Sequence, residues 1–304
     1  MKNFNIGYLY SLSPIHCGGE GDLGNILEIV REVHTSFPYI PSSSLRGSLR
    51  DEVENIDAQT ATNLFGKELD DDGQMGVHQV WFGDARLLWI PMRTMSLNNR
   101  DIFTWVSCHS LMRDHAILNQ QSFVTFPDHP VGTKAGSYDV ADAKLNVSLL
   151  KDEQKEAISF VTDFPDSLKD TVQPTWEQNH LILPDSDFQV LLEHSLWTQI
   201  RNKIDEKKGS AEVFWTDVCI PRDTFFYFPW GYNLLKDNLR QNNHIIQSPV
   251  TQEQHQVLID VLQGLIQVGG QANVGRGWVQ SWISNLTLPS LIKSNSTQTT
   301  TVGV

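Results

Sequence analysis

Ser42, Ser43 and Ser44 stand in a row ahead of Arg46 and Arg50, inside the stretch REVHTSFPYIPSSSLRGSLRDEVE that runs from Arg31 to Glu54. Leu45, Leu49, Val53 and Ile56 follow at helical spacing, which predicts a helix of about three turns with Ser42, Ser43 or Ser44 as its N-cap. Arg46 then falls in the first turn, where the helix dipole disfavours a cation by about 0.3–1 kcal/mol. Free backbone N–H groups at the same end favour an anion. A phosphate bound there takes the amides, a serine hydroxyl and the guanidinium fork together. The plainer alternative is a surface ion pair, because Arg50 and Glu54 stand four residues apart.

Two glycine-rich segments offer further chemistry. In VGGQANVGRGW, Gly269, Gly270, Gly275 and Gly277 surround Arg276. Glycines let the backbone approach a ligand closely, and successive N–H groups cradle phosphate. No Lys-Ser/Thr follows, and a strand rather than a helix comes next, so this is neither a Walker motif nor a dinucleotide fingerprint. Without a ligand it is a helix-to-strand turn. In HCGGEGDLG, His16, Glu20 and Asp22 share a loop. A carboxylate or imidazole beside an RNA phosphate assists attack by the ribose 2′-OH, as general base or by holding a metal ion; the alternative is a solvated loop. His16-Cys17 and Cys108-His109 lack the spacing of a zinc site, so no metal ligands are assigned. Aromatic runs such as TFFYFPW read as core strands rather than base-stacking platforms.

These residues need elements to hold them. FNIGYLYSLS alternates like a strand, and FPYIP is a short extended piece pinned by Pro38 and Pro41. VHQVWFGDARLLWIPMRT reads as two strands broken at Gly83-Asp84, and DIFTWVSCHSLMRDHAIL as a strand turning into a helix. HLILPDSDFQVLLEHS gives a short strand and a helix from about Asp187. AEVFWTDVCIPRDTFFYFPW gives two strands around Pro221. TQEQHQVLIDVLQGLIQVGG is a helix opened by a Thr251–Gln254 capping box, with Leu258, Leu262 and Leu265 as its stripe and Gly269-Gly270 as its stop. Strands and helices mix without steady βαβ alternation. The expected fold is therefore α+β, an antiparallel sheet with helices on one face, and the ferredoxin-like or RNA-recognition core is the common form. The expected organisation is a single domain over residues 1–288 with insertions near 55–76 and 120–180, followed by a polar, disordered tail over 289–304.

Lys plus Arg number 23 and Asp plus Glu 36, so the 304-residue chain carries a net charge of −13. That balance argues against a generally basic nucleic-acid binder, yet a local basic face on an acidic body still attracts a polyanion. Three scattered cysteines make no disulfide framework. The N-terminus lacks the apolar run of a signal peptide, and no apolar stretch reaches membrane-span length. A cytoplasmic protein with no membrane partner is expected.

Taken together, SPIHCGGEGDLG, REVHTSFPYIPSSSLRGSLRDE, NLFG, FGDARLLWIPMRT, FTWVSC and VGGQANVGRGW resemble, in order, the backbone subunit of type III-B CRISPR effector (Cmr) complexes, within the RAMP superfamily. The resemblance is strongest over about residues 8–115 and returns near IPRDTFFYF and over 262–280. It implies a modified RNA-recognition core whose insertions include a thumb hairpin that wedges into the guide–target duplex, and copies that stack in a helical filament along crRNA. It also implies crRNA, complementary target RNA, further copies of the chain and other Cmr subunits as partners. By position, the implied RNA-binding residues are His16, Arg31, His34, Ser43, Ser44, Arg46, Arg50, Gly270 and Arg276. Active family members cut target RNA with an aspartate on the loop after the first strand. Aligned on REVHT, that aspartate falls on Ile26, which can neither bind a metal nor take a proton. Asp22 lies at most about 13 Å away in extended chain and is the candidate catalytic residue, with Glu20 or Glu28 as substitutes and Mg2+ or another divalent ion as cofactor. The reading implied is a crRNA-holding backbone subunit. The alternatives are a target-RNA endoribonuclease with a relocated carboxylate, and a stand-alone precursor-RNA nuclease working through His16 or His34.

Overall fold

The computed structural model describes residues 4–19, 26–66, 78–95, 102–158, 164–204, 211–233 and 250–284. Asp22, Glu20 and the tail 289–304 lie outside them. In chain order the first half runs β1 (Asn5–Ser11), β2 (Ile26–Leu27), β3 (Tyr39–Ile40), α1 (Ser42–Ile56), α2 (Ala58–Phe65), β4 (Val80–Phe82), β5 (Ala85–Met95), β6 (Phe103–Cys108) and α3 (His109–Asn119). Then come β7 (Val131–Gly132), β8 (Gly136–Val140), β9 (Ala143–Leu149), α4 (Asp152–Ile158), α5 (Asp166–Lys169), α6 (Gln173–Trp176), β10 (His180–Leu183) and α7 (Asp185–Ser195). The chain closes with β11 (Trp197–Ile204), β12 (Ala211–Cys219), β13 (Phe225–Tyr232), α8 (Gln252–Leu262), β14 (Leu265–Gln267) and β15 (Trp278–Ser284).

The main sheet runs β14-β15-β1-β13-β5-β6-β10-β7-β9-β8, with β3 beside β5 and β4 beside β13. β1 is buried along its whole length because β13 and β15 flank it, both antiparallel. β5 is long enough to serve three partners: its start pairs β13, its middle β6, and Thr94–Met95 pair β8. That last pairing closes β5, β6, β10, β7, β9 and β8 into a barrel-like ring, which leaves those strands no open edge.

Side chains alternate across the sheet with the period of two that a pleated strand imposes. Leu9, Phe226 and Phe228 point to one core, with Leu45, Leu49 and Val53 of α1 and Leu258 and Leu262 of α8. Tyr8, Tyr10, Phe225 and Tyr227 point to a second core, closed by Phe164, Leu168 and Trp176. Helices therefore cover both faces, not one. The covering for the second face comes from the polar stretch near 120–180, whose short helices α4 to α6 carry few but large apolar residues.

Candidate RNA interface

α1 forms where the leucine spacing places it. Leu45, Leu49 and Val53 are fully buried, each worth about 1.5–3 kcal/mol, while Ile56 is exposed. The helix starts one to three residues earlier than a serine N-cap would place it. Pro41 is the N-cap and no serine side chain caps the helix. This corrects the N-cap assigned to Ser42, Ser43 or Ser44: all three sit inside the first turn, Ser43 exposed and Ser42 and Ser44 half-buried. The Ser42 N–H instead donates to the Asp84 carboxylate at 2.7 Å, so a protein anion from the β4–β5 turn already satisfies the dipole.

Arg46 resolves its conflict with that dipole by turning away from it. Its guanidinium donates to the carbonyl of Phe65, the last residue of α2, and lies 5.7 Å from the centre of the Phe65 ring. A helix C-terminus carries orphan carbonyls and partial negative charge, the environment that suits a cation. Burial first, then the neighbouring Arg50, pulls the Arg46 pKa below its ordinary value. Arg50 sits 3.8 Å from Glu54.

The turn after β2 is built on charge. Arg31 forms a two-pronged pair with Glu193 of α7, at 2.6 and 3.2 Å, and lies 3.7 Å from Glu28. Glu32 accepts from Arg86 at 3.1 Å, and Arg86 also meets Asp114 at 3.0 Å. His34 stands exposed on the tip of this turn. The segment Asp84–Arg86 thus pins both the start of α1, through Ser42, and the Arg31–Pro38 turn, through Glu32.

His16 and the glycine loop form a second group. His16 is buried, its Nδ1–H donates to the Val218 carbonyl at 2.8 Å, and its own carbonyl accepts from the Gly270 N–H at 2.8 Å. Gly269 has φ +80°, and a Cβ there would lie 2.6 Å from the His16 oxygen. Gly277 has φ +85°, and a Cβ there would lie 2.0 Å from the Val268 oxygen. Only glycine fits either place.

Arg276, set among the glycines, is turned inward. It is 5% exposed, donates to Gln271 and to Gln199 at 2.7 Å, and forms an ion pair with Asp217 at 3.0 Å. Asp217 is fully buried on β12 and also meets Arg201 at 3.3 Å. The β11–β12 hairpin stands in its own three-stranded sheet, with β2 as the third strand. Thr216 is in register with Ile26 and Asp217 with Leu27. Ile26 therefore lies beside the middle of this hairpin, 38% exposed. Among the described carboxylates near it, Glu28 lies beside Arg31 and Asp217 is buried. Among the described residues, no three His, Cys, Asp or Glu side chains converge as metal ligands. Burial pushes the Cys17 thiol up to about 12 and Cys219 up to about 11, so both stay protonated.

Asp217, Arg201, Gln199 and Gln271 escaped the sequence reading. The one available signal was Asp217 itself, a lone carboxylate in the apolar strand FWTDVC, since a buried charge demands a partner.

A sheet of this order, flanked by a glycine loop and a basic helix start, has the architecture of an RNA-recognition-like α+β protein. The chain belongs to the RAMP superfamily, whose family model matches residues 8–280. It is 27% identical over 309 aligned positions to the CRISPR system Cmr endoribonuclease Cmr4 of Pyrococcus furiosus, covering 94% of this chain and 97% of that one. Its fold is similar to that of oligomeric Cmr4 from P. furiosus, with TM-score 0.66, 20% identity, and 95% and 100% of the two chains covered. It is also similar to a chain of the type III-B Cmr-beta complex bound to cognate target RNA, with TM-score 0.66, 16% identity, and 92% and 96% covered.

Proposed function

We propose that the chain is the crRNA-binding backbone subunit of a cytoplasmic type III-B CRISPR effector. In this role, copies stack along crRNA beside other Cmr subunits and hold the guide–target duplex. The observation that carries the reading is the end-to-end likeness to Cmr4, over 94% of this chain and 97% of that one. The β11–β12 hairpin, outside the main sheet and tied to the glycine loop by Arg276, is the element suited to act as the thumb. Arg31, His34, Ser43, Ser44, Arg46 and Arg50 supply one contact surface for the RNA backbone. Gly270 and the exposed backbone of Ala272–Gly275 supply another, with His16 and Arg276 holding that loop in shape. No helix among the described residues is long and apolar enough to cross a membrane.

The name of the P. furiosus relative, an endoribonuclease, favours a second reading in which target RNA is also cut. Ile26 opposes it at the position where the resemblance implies an aspartate, and Asp22 would have to replace that group, with Mg2+ or another divalent ion as cofactor. The stand-alone nuclease reading suits the chain less well, because His16 is buried and spent on the Val218 carbonyl.

The test uses the complex assembled with crRNA and an end-labelled complementary RNA in the presence of Mg2+. Tight binding with intact RNA is the expected result. A regular ladder of products abolished by Asp22→Ala would establish the cutting reading instead. Failure to assemble on crRNA would overturn both.

A further inference from the structure

Asp217 is a single buried carboxylate serving two guanidiniums. Arg276 and Arg201 both approach the same oxygen, Oδ2, at 3.0 and 3.3 Å. One negative and two positive charges leave a surplus of one positive charge, on a chain whose net charge is −13. The two arginines are not equivalent. Arg276 is sealed in, whereas the Arg201 side chain is 32% exposed. Arg201 lies 5.7 Å from the centre of the Trp215 ring, its cross-strand partner. Among the described residues Asp217 is its only hydrogen-bond acceptor, and a guanidinium has five N–H donors. Arg201 is thus a fork braced from below by an aromatic face and a carboxylate, with donors left over on its solvent side.

We propose that Arg201 is an RNA phosphate contact, offering its outward N–H groups to a phosphodiester midway along the β11–β12 hairpin. The proposal rests on the RNA-holding reading above and adds a contact outside the helix start and the glycine loop. Register fixes its place. Gln199 pairs with Asp217 and touches Arg276 of the glycine loop, and Arg201 is the next residue on the same face toward the hairpin tip. A strand of RNA leaving the glycine loop along the hairpin meets Arg201 next. Bracing on Trp215 and Asp217 restricts the side chain before RNA arrives, so little rotamer freedom is lost on binding. Arg276, buried beneath, neutralises Asp217 and leaves the Arg201 charge available to the ligand.

The experiment measures binding of the full chain to a labelled oligouridylate across a range of salt concentrations, for the native protein and for Arg201→Gln, Arg201→Lys and Arg93→Gln. Arg201→Gln is expected to weaken binding about tenfold or more. It should also reduce the slope of log affinity against log salt by about 0.7, the value for one phosphate contact on a single strand. Arg201→Lys keeps the charge but loses the fork, so it should keep the slope while recovering part of the affinity. Arg93→Gln removes an exposed arginine elsewhere, paired with Asp142, and should leave both quantities unchanged. Native protein that binds RNA while Arg201→Gln matches it in affinity and slope overturns the proposal alone. Native protein that fails to bind RNA overturns the RNA-holding reading, and the proposal with it.

Discussion

Arg276 of the glycine loop forms an ion pair with Asp217 of the β11–β12 hairpin at 3.0 Å, with both side chains removed from solvent. The pair joins two segments that are distant in sequence, and the second carboxylate oxygen, Oδ1, is buried with no partner among the described residues. Breaking such a pair by removing one partner leaves an uncompensated buried charge and costs about 3–5 kcal/mol. Replacing both partners by apolar residues of similar volume is often close to neutral. Asp217→Ala is therefore expected to lower the urea midpoint sharply, and Asp217→Leu with Arg276→Met to restore most of it. A double variant as unstable as the single one would show that the loop needs the ion pair itself.

Steric room, not backbone conformation, ranks the glycines of the loop. Gly277 and Gly275 have nearly the same φ, +85° and +78°, but a Cβ at Gly277 would meet the Val268 oxygen at 2.0 Å while one at Gly275 would meet nothing within 4 Å. Gly275→Ala should cost only the left-handed penalty, about 1–2 kcal/mol. Gly277→Ala should cost clearly more, since Val268 also accepts no shift without losing its hydrogen bond to the Gly277 carbonyl at 2.9 Å. Equal denaturation midpoints for the two variants would contradict this ranking.

What the sequence made legible follows from local physics. α1, the β4–β5 break and the Thr251–Gln254 capping box all depend on near neighbours, and all are present; the box has both of its reciprocal bonds. Distant partners hid the rest. The α1 cap comes from Asp84, on another element. α8 stops at Leu262 instead of continuing to the glycines, because Leu265–Gln267 pair with β15 at the sheet edge. Leu265 is consequently exposed on that edge rather than part of the helical stripe. Nothing local to Arg276 signals its burial, because its counter-ion sits on a strand far back in the chain. The residues that do face outward, such as Arg201, carried no local pattern at all.

His180 makes stability depend on pH in a window that can be isolated. The imidazole is 4% exposed, packed between Trp89 and Trp176, and neither ring nitrogen has a partner among the described residues. Burial pushes its pKa down from 6.5 to about 3. The unfolded chain binds a proton there below pH 6.5 and the folded chain does not, so this contribution is full above pH 6.5 and is lost as pH falls toward 3. The loss is up to about 1.4 kcal/mol per pH unit. His180→Phe should be flatter than the native protein across that window in parallel denaturation series. Identical pH slopes would show that His180 protonates in the folded state.

The Arg31–Glu193 pair separates stability from RNA affinity. Glu193 is half exposed and Arg31 about a fifth exposed, so solvent screens the pair and Glu193→Gln should change stability by less than about 1 kcal/mol. The same substitution removes the carboxylate that occupies both prongs of the Arg31 fork. If Arg31 meets the RNA backbone, it must exchange Glu193 for a phosphate, and removing the competitor makes that exchange easier. Glu193→Gln is accordingly expected to bind a labelled oligouridylate more tightly than the native chain, with Arg31→Gln binding more weakly and the double variant matching Arg31→Gln. Weaker binding by Glu193→Gln would mean that the pair orients Arg31 for the RNA rather than competing with it. Unchanged binding in all three variants would remove Arg31 from the interface.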